Sequence, residues 1–128
     1  MPRNFPRILS LWAPPAAAAL AIFLASSIPT PVQIPMPGIG DKFIHFGVYA
    51  TSAFLLQRAM TASGSNSKIW LITAAIVGCY GISDEIHQLF VPGRFFEIWD
   101  ILADFLGATA GALIYDKIRV FSGQKREH

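Results

Sequence analysis

Asp84, Glu85, His87, Gln88 and Arg94 fall within SDEIHQLFVPGR (Ser83 to Arg94), a polar run at the end of a long apolar stretch. Two more clusters stand where apolar sequence resumes: Asp41, Lys42 and His45 in DKFIHFGVYA, and Glu97, Asp100 and Asp104 ahead of a run of small residues. Crowded carboxylates beside imidazoles point to acid/base chemistry or proton-linked binding. An enzymatic arrangement would use Asp84 or Glu85 as general base, His45 to orient or shuttle a proton, and Arg94 to stabilise developing negative charge. A binding arrangement would set Arg94 and Lys42 on a phosphate or carboxylate, with the carboxylates and Gln88 on sugar or peptide groups. Neither Cys79, which lies deeper in its apolar segment, nor Ser83 carries a nucleophile motif. His45 and His87 are not in HExxH or another diagnostic spacing, so no metal and no cofactor is expected.

The elements that must position these groups are apolar. Hydrophobic residues make up 53% of the chain and charged residues 14%, against roughly 25% charged in soluble folds. At 128 residues the chain fits a single domain spanning 1–128, all-α and polytopic, with four segments near the ~20 apolar residues a membrane span needs. They run over about 8–28, 42–60, 68–90 and 97–120. Pro14 and Pro15 predict a bend in the first, which is expected to stay uncleaved although Arg3 and Arg7 precede it in signal-peptide fashion. PTPVQIPMPGIG reads as a stiff, short lid, TASGSNS (Thr61 to Ser67) as a flexible loop, and Pro92-Gly93 as a helix stop and turn. The basic residues form no basic face, which excludes nucleic acid as a partner and leaves the lipid bilayer, with a homo-oligomer compatible.

Alternating four helices puts Arg3, Arg7, Arg58, Lys68, Lys117, Arg119, Lys125 and Arg126 on one side and only Lys42 and Arg94 on the other. The positive-inside rule then predicts both termini in the cytoplasm and all three polar clusters at the outer boundary. Residues three or four apart share a helix face, so Asp41, His45 and Tyr49 form one stripe, Tyr80, Asp84, His87 and Gln88 a second, and Glu97, Asp100 and Asp104 a third. An unpaired ionisable group at mid-membrane costs about 2.5–3.5 kcal/mol on insertion scales, so the stripes are expected to turn inward and pair. Ala103, Gly107 and Gly111 recur every fourth residue, the spacing of a close helix-packing seam.

These same residues resemble the VanZ-like family of small bacterial membrane proteins, named for a teicoplanin-resistance determinant. The likeness lies in DKFIHFGVYA (Asp41 to Ala50), SDEIHQLFVPGR (Ser83 to Arg94) and the D-x-x-A-D-x-x-G element at Asp100, Asp104 and Gly107. It implies site residues at Asp41, Lys42, His45, Asp84, Glu85, Gln88, Arg94, Asp100 and Asp104. Phe95 and Phe96 depart from the small or polar residues common after the arginine and suggest interfacial anchoring.

The expected function is recognition of an extracytoplasmic envelope component, such as a lipid-linked cell-wall or polysaccharide intermediate or a glycopeptide. By resemblance it carries a link to teicoplanin-type tolerance, exercised from the bacterial cytoplasmic membrane. Two alternatives stay open: an intramembrane acid/base enzyme acting on a lipid-linked envelope substrate, and a structural membrane module without a ligand. Transport is disfavoured because the cytoplasmic halves of the segments offer few polar groups.

Overall fold

A computed structural model describes residues 4–30, 38–64 and 67–124. They form four helices: α1 (Phe5–Ser26), α2 (Ile39–Ser63), α3 (Ile69–Gln88) and α4 (Ile98–Gln124). The ends shift by a few residues from the sequence-based ranges, and the causes are local. Pro6 sits in the first turn of α1, where its missing N–H costs nothing, and starts the helix early. At the end of α2 the hydroxyls of Thr61 and Ser63 donate to the carbonyls of Gln57 and Ala59, so the helix runs on to Ser63 rather than yielding to a loop at Thr61. α1 continues through Pro14 and Pro15 as one helix. The lid expected in PTPVQIPMPGIG falls largely on residues 31–37, and the charged tail on 125–128, both outside the described residues.

Three of the helices, α1, α3 and α4, are long and apolar enough to cross a membrane. α2 has the length, 25 residues, but carries Asp41, Lys42, His45 and Arg58. It tolerates them because it is the central helix, packing against the other three. Outward faces show what the bundle's solvent must be. Leu20, Leu24, Leu71, Ile76, Leu106 and Ile114 are among many large apolar side chains left exposed. A soluble monomer does not present so continuous an apolar surface, whereas hydrocarbon solvates it. The chain is a multi-helix membrane protein.

Pairing follows a simple rule. α2 and α4 run parallel: Lys42 meets Asp100, His45 meets Asp104 and Gln57 meets Asp116, at separations of 58, 59 and 59 residues. α1 and α3 also run parallel, through Tyr80 to Ala19, Ser26 to Asp84 and Ser27 to His87. The small-residue seam explains the closeness of the first pair. A Cβ on Gly107 or Gly111 would run into the carbonyl oxygens of Phe46 and Ala50, so glycine lets the α4 backbone lie directly on α2. Tyr49, Ala53, Val77 and Ala108, with Ile22 from α1, make up the buried apolar centre.

Candidate functional site

The α2/α4 register brings two of the three expected stripes face to face at one end of the bundle. Lys42 Nζ donates to Glu97 Oε2 at 2.5 Å and to Asp100 Oδ1, and lies 3.6 Å from Asp41. One turn further in, His45 Nδ1 and Asp104 Oδ1 share a hydrogen bond of 2.9 Å. With Asp104 ionised, Nδ1 is the donor, and Nε2 lies 3.7 Å from Asp100 Oδ2. The His45 ring lies nearly parallel to that of Tyr49 a turn below.

α3 supplies the third stripe. Buried Asp84 accepts from Ser26 Oγ of α1 and from Gln88 Nε2 at 3.2 Å. Glu85, fully buried, accepts the Glu97 backbone N–H at 3.1 Å through Oε2, so it satisfies a donor at the start of α4. Gly81 faces the inner side of this group: a Cβ there would stand 2.7 Å from Asp104 Oδ2 and 3.1 Å from the Tyr49 ring. Three buried polar atoms have no partner among the described residues: Tyr49 OH, Glu85 Oε1 and Asp104 Oδ2.

Arg94 behaves differently from the anion-seeking role its charge suggests. Its Nε donates to the Ile28 carbonyl at 3.2 Å and one Nη to that of Ala25 at 3.0 Å, which satisfies the end of α1 and meets the negative pole of that helix. Thr30 extends the junction, donating its N–H to Pro92 O and its hydroxyl to Gly93 O. Gly93 has φ 81°, a left-handed conformation that glycine adopts without strain, and passes against the Thr30 carbonyl. His87, also turned toward α1, contacts Ser27 Oγ at 3.0 Å and stacks on Phe23.

The nine site residues inferred from sequence therefore gather at one end of the bundle, with Asp84 and Arg94 tied to α1 and the rest joining α2, α3 and α4. Two adjoining cavities open among them. One of about 170 Å³ is lined by Ser26, Asp41, His45, Tyr49, Asp84 and Arg94, with apolar residues between them. The other, about 470 Å³, shares Asp41, His45, Gln88 and Arg94 and adds Glu97 and Asp100. The ligand atoms of Asp41, His45 and Asp100 lie within 4.8 Å of one another, close enough to hold a cation. Lys42 already places an ammonium against two of the three, so the cluster has its own counter-ion.

A family model described as VanZ/LLP1 matches residues 7–120. The chain belongs to the VanZ/LLP1 family. No curated protein and no solved structure gives a match. In this VanZ/LLP1 chain, sequence reasoning missed a second polar cluster at the opposite end. There Gln57, fully buried, donates to Asp116 at 2.9 Å and accepts from the Thr73 hydroxyl. These are among the few polar groups expected in those halves, and no chain of hydrogen-bonded side chains among the described residues joins them to the first cluster. The available signal was register: Gln57 and Asp116 stand 59 residues apart, as His45 and Asp104 do.

Proposed function

We propose that this VanZ/LLP1 family protein binds the polar part of an extracytoplasmic envelope component, a lipid-linked cell-wall or polysaccharide intermediate or a glycopeptide, and through that binding contributes to teicoplanin-type glycopeptide tolerance. It acts in the bacterial cytoplasmic membrane with both termini inside. The observation carrying this reading is the convergence of polar side chains from all four helices on adjoining cavities at one end. Registration alone would be served by paired groups. Instead Asp41 is half exposed with only a 3.6 Å approach from Lys42, and three buried polar atoms, the Tyr49 hydroxyl and one carboxylate oxygen each of Glu85 and Asp104, stand unpartnered among the described residues. Orientation rests on Arg58, Lys68, Lys117 and Arg119 lying toward the other end of the helices.

Asp41→Asn tests it well, because that carboxylate is half exposed and Lys42, 3.6 Å away, keeps Glu97 and Asp100 as partners. Glycopeptide susceptibility of cells carrying the variant should rise while membrane abundance of the protein is unchanged. Retained tolerance at equal abundance would remove the binding role.

One observation supports an enzymatic second reading. Buried Asp104 holds the ring of His45 by Nδ1 where it lines both cavities, as a proton-transferring group would be oriented. Conversion of a lipid-linked cell-wall intermediate by purified protein, abolished in His45→Gln, would select it over binding alone.

A further inference from the structure

The polar cavities continue into an apolar one. Ile22 lines both the 170 Å³ cavity and a crevice of about 250 Å³ bounded by Trp12, Pro15, Ala16 and Ala19 of α1, Ser52 and Leu56 of α2, and Ile76, Val77 and Tyr80 of α3. From Ile22 back to Trp12 the crevice runs along about 15 Å of helix. Its outer edge is formed by exposed Trp12, Ala16 and Ile76, so it opens sideways toward lipid. Prolines at 14 and 15 and alanines at 16 to 19 leave this stretch of α1 without side chains long enough to fill the space.

Charge at the polar end is lopsided. Asp41, Asp84, Glu85, Glu97, Asp100 and Asp104 face only Lys42 and Arg94 as permanent cations. Lys42 is engaged on Glu97 and Asp100, and Arg94, which lines both cavities, gives two of its N–H groups to the carbonyls of Ala25 and Ile28. His45 commits Nδ1 to Asp104. What the cavities keep is acceptor capacity: the half-exposed Asp41 carboxylate lines both, Asp84 the smaller, Glu97 and Asp100 the larger, and the unpartnered Tyr49 hydroxyl, able to accept as well as donate, lines the smaller. An anionic group entering here would meet like charge, whereas a donor would find acceptors waiting.

We infer that the occupant is an amphiphile that presents hydrogen-bond donors, hydroxyls or an ammonium, to the Asp41, His45 and Tyr49 end and lays one apolar tail in the crevice between α1 and α3. This deepens the envelope-binding reading and rests on it, replacing the phosphate-first recognition that Arg94 and Lys42 suggest from sequence.

The test uses the full chain in nanodiscs with Trp70→Phe and Trp99→Phe, which leaves Trp12, on the crevice wall, as the only tryptophan. Three amphiphiles with the same tail-brominated dodecyl chain are titrated: a glucoside, a primary ammonium and a phosphate. Saturable quenching of Trp12 by the glucoside or the ammonium, at a concentration at least about tenfold below that needed by the phosphate, is the expected result. Which of the two saturates first separates a sugar from an amine head. Ala16→Phe, filling the crevice from an exposed position, should remove the saturable phase. If the phosphate saturates at an equal or lower concentration, the donor-head inference falls while pocket binding stands. If no head group saturates, the tail seat falls, and Asp41→Asn susceptibility decides the envelope reading separately.

Discussion

His45 and Asp104 share a 2.9 Å hydrogen bond near one end of the α2/α4 pair, and Gln57 and Asp116 share another of 2.9 Å at the far end, with the same separation of 59 residues in the chain. Two polar clasps at matching register, with Gly107 and Gly111 seated on α2 carbonyls between them, fix one helix against the other along its whole length. Sliding by a turn would break both clasps and drive a methylene into backbone.

The far clasp is structural, and comparing a single with a triple variant should say so. Gln57→Leu alone strips partners from Asp116 and Thr73 and should destabilise the protein by about 1–3 kcal/mol. Adding Asp116→Leu and Thr73→Val should return a large part of that loss, since an apolar set of similar shape leaves nothing unpaired. Thermal unfolding in detergent measures both, and glycopeptide tolerance should follow abundance alone.

Gly111→Ala should be more damaging than an alanine at an open glycine such as Gly47, because the added methyl meets the Ala50 carbonyl while Gly47 has nothing nearby. About 1–3 kcal/mol is expected from overpacking at position 111, and little change at 47. Comparing melting temperatures of the two variants checks it.

Lys42→Met leaves Asp100, nearly buried, and Glu97 without their cation. Membrane abundance should drop. Combining it with Asp100→Asn and Glu97→Gln should restore abundance, because the loss comes from uncompensated charge rather than from a missing side chain. Failure of the triple variant to recover would assign Lys42 a role outside this ion cluster.

Arg94→Ala should loosen the end of α1 without disturbing the α2/α4 pair, since the guanidinium donates to the carbonyls of Ala25 in the last turn of α1 and Ile28 just after it. Hydrogen exchange in the last turn of α1 should accelerate while the α2 and α4 amides keep their protection. For the same reason Arg94→Ala and Glu85→Gln are poor probes of ligand contact: one braces α1, the other caps α4.

Much of this site is legible from spacing, because period-3.6 stripes in an apolar chain leave charged residues only one economical direction to face. That reasoning finds Asp41, His45, Asp84, Asp100 and Asp104. Partner choice is not legible in the same way. Arg94 reads as a free cation because the carbonyls it satisfies, at Ala25 and Ile28, carry no side-chain signal at all. Gln57 and Asp116 were passed over because single polar residues in separate apolar segments show no stripe, and only the α2/α4 register brings them together. The α2 end was misplaced for a third reason: Thr61 and Ser63 resemble loop residues, but their hydroxyls fold back onto the preceding turn.

α2 is the least apolar helix, and apart from Asp41 the groups that pair with Lys42 and His45, Glu97, Asp100 and Asp104, lie at the start of the fourth span and are synthesised after it. The second span therefore meets most of the partners of its charges only once the fourth emerges beside it. A nascent chain halted before Ile98 would carry Lys42 and His45 without Asp100 and Asp104, a natural target for membrane quality control.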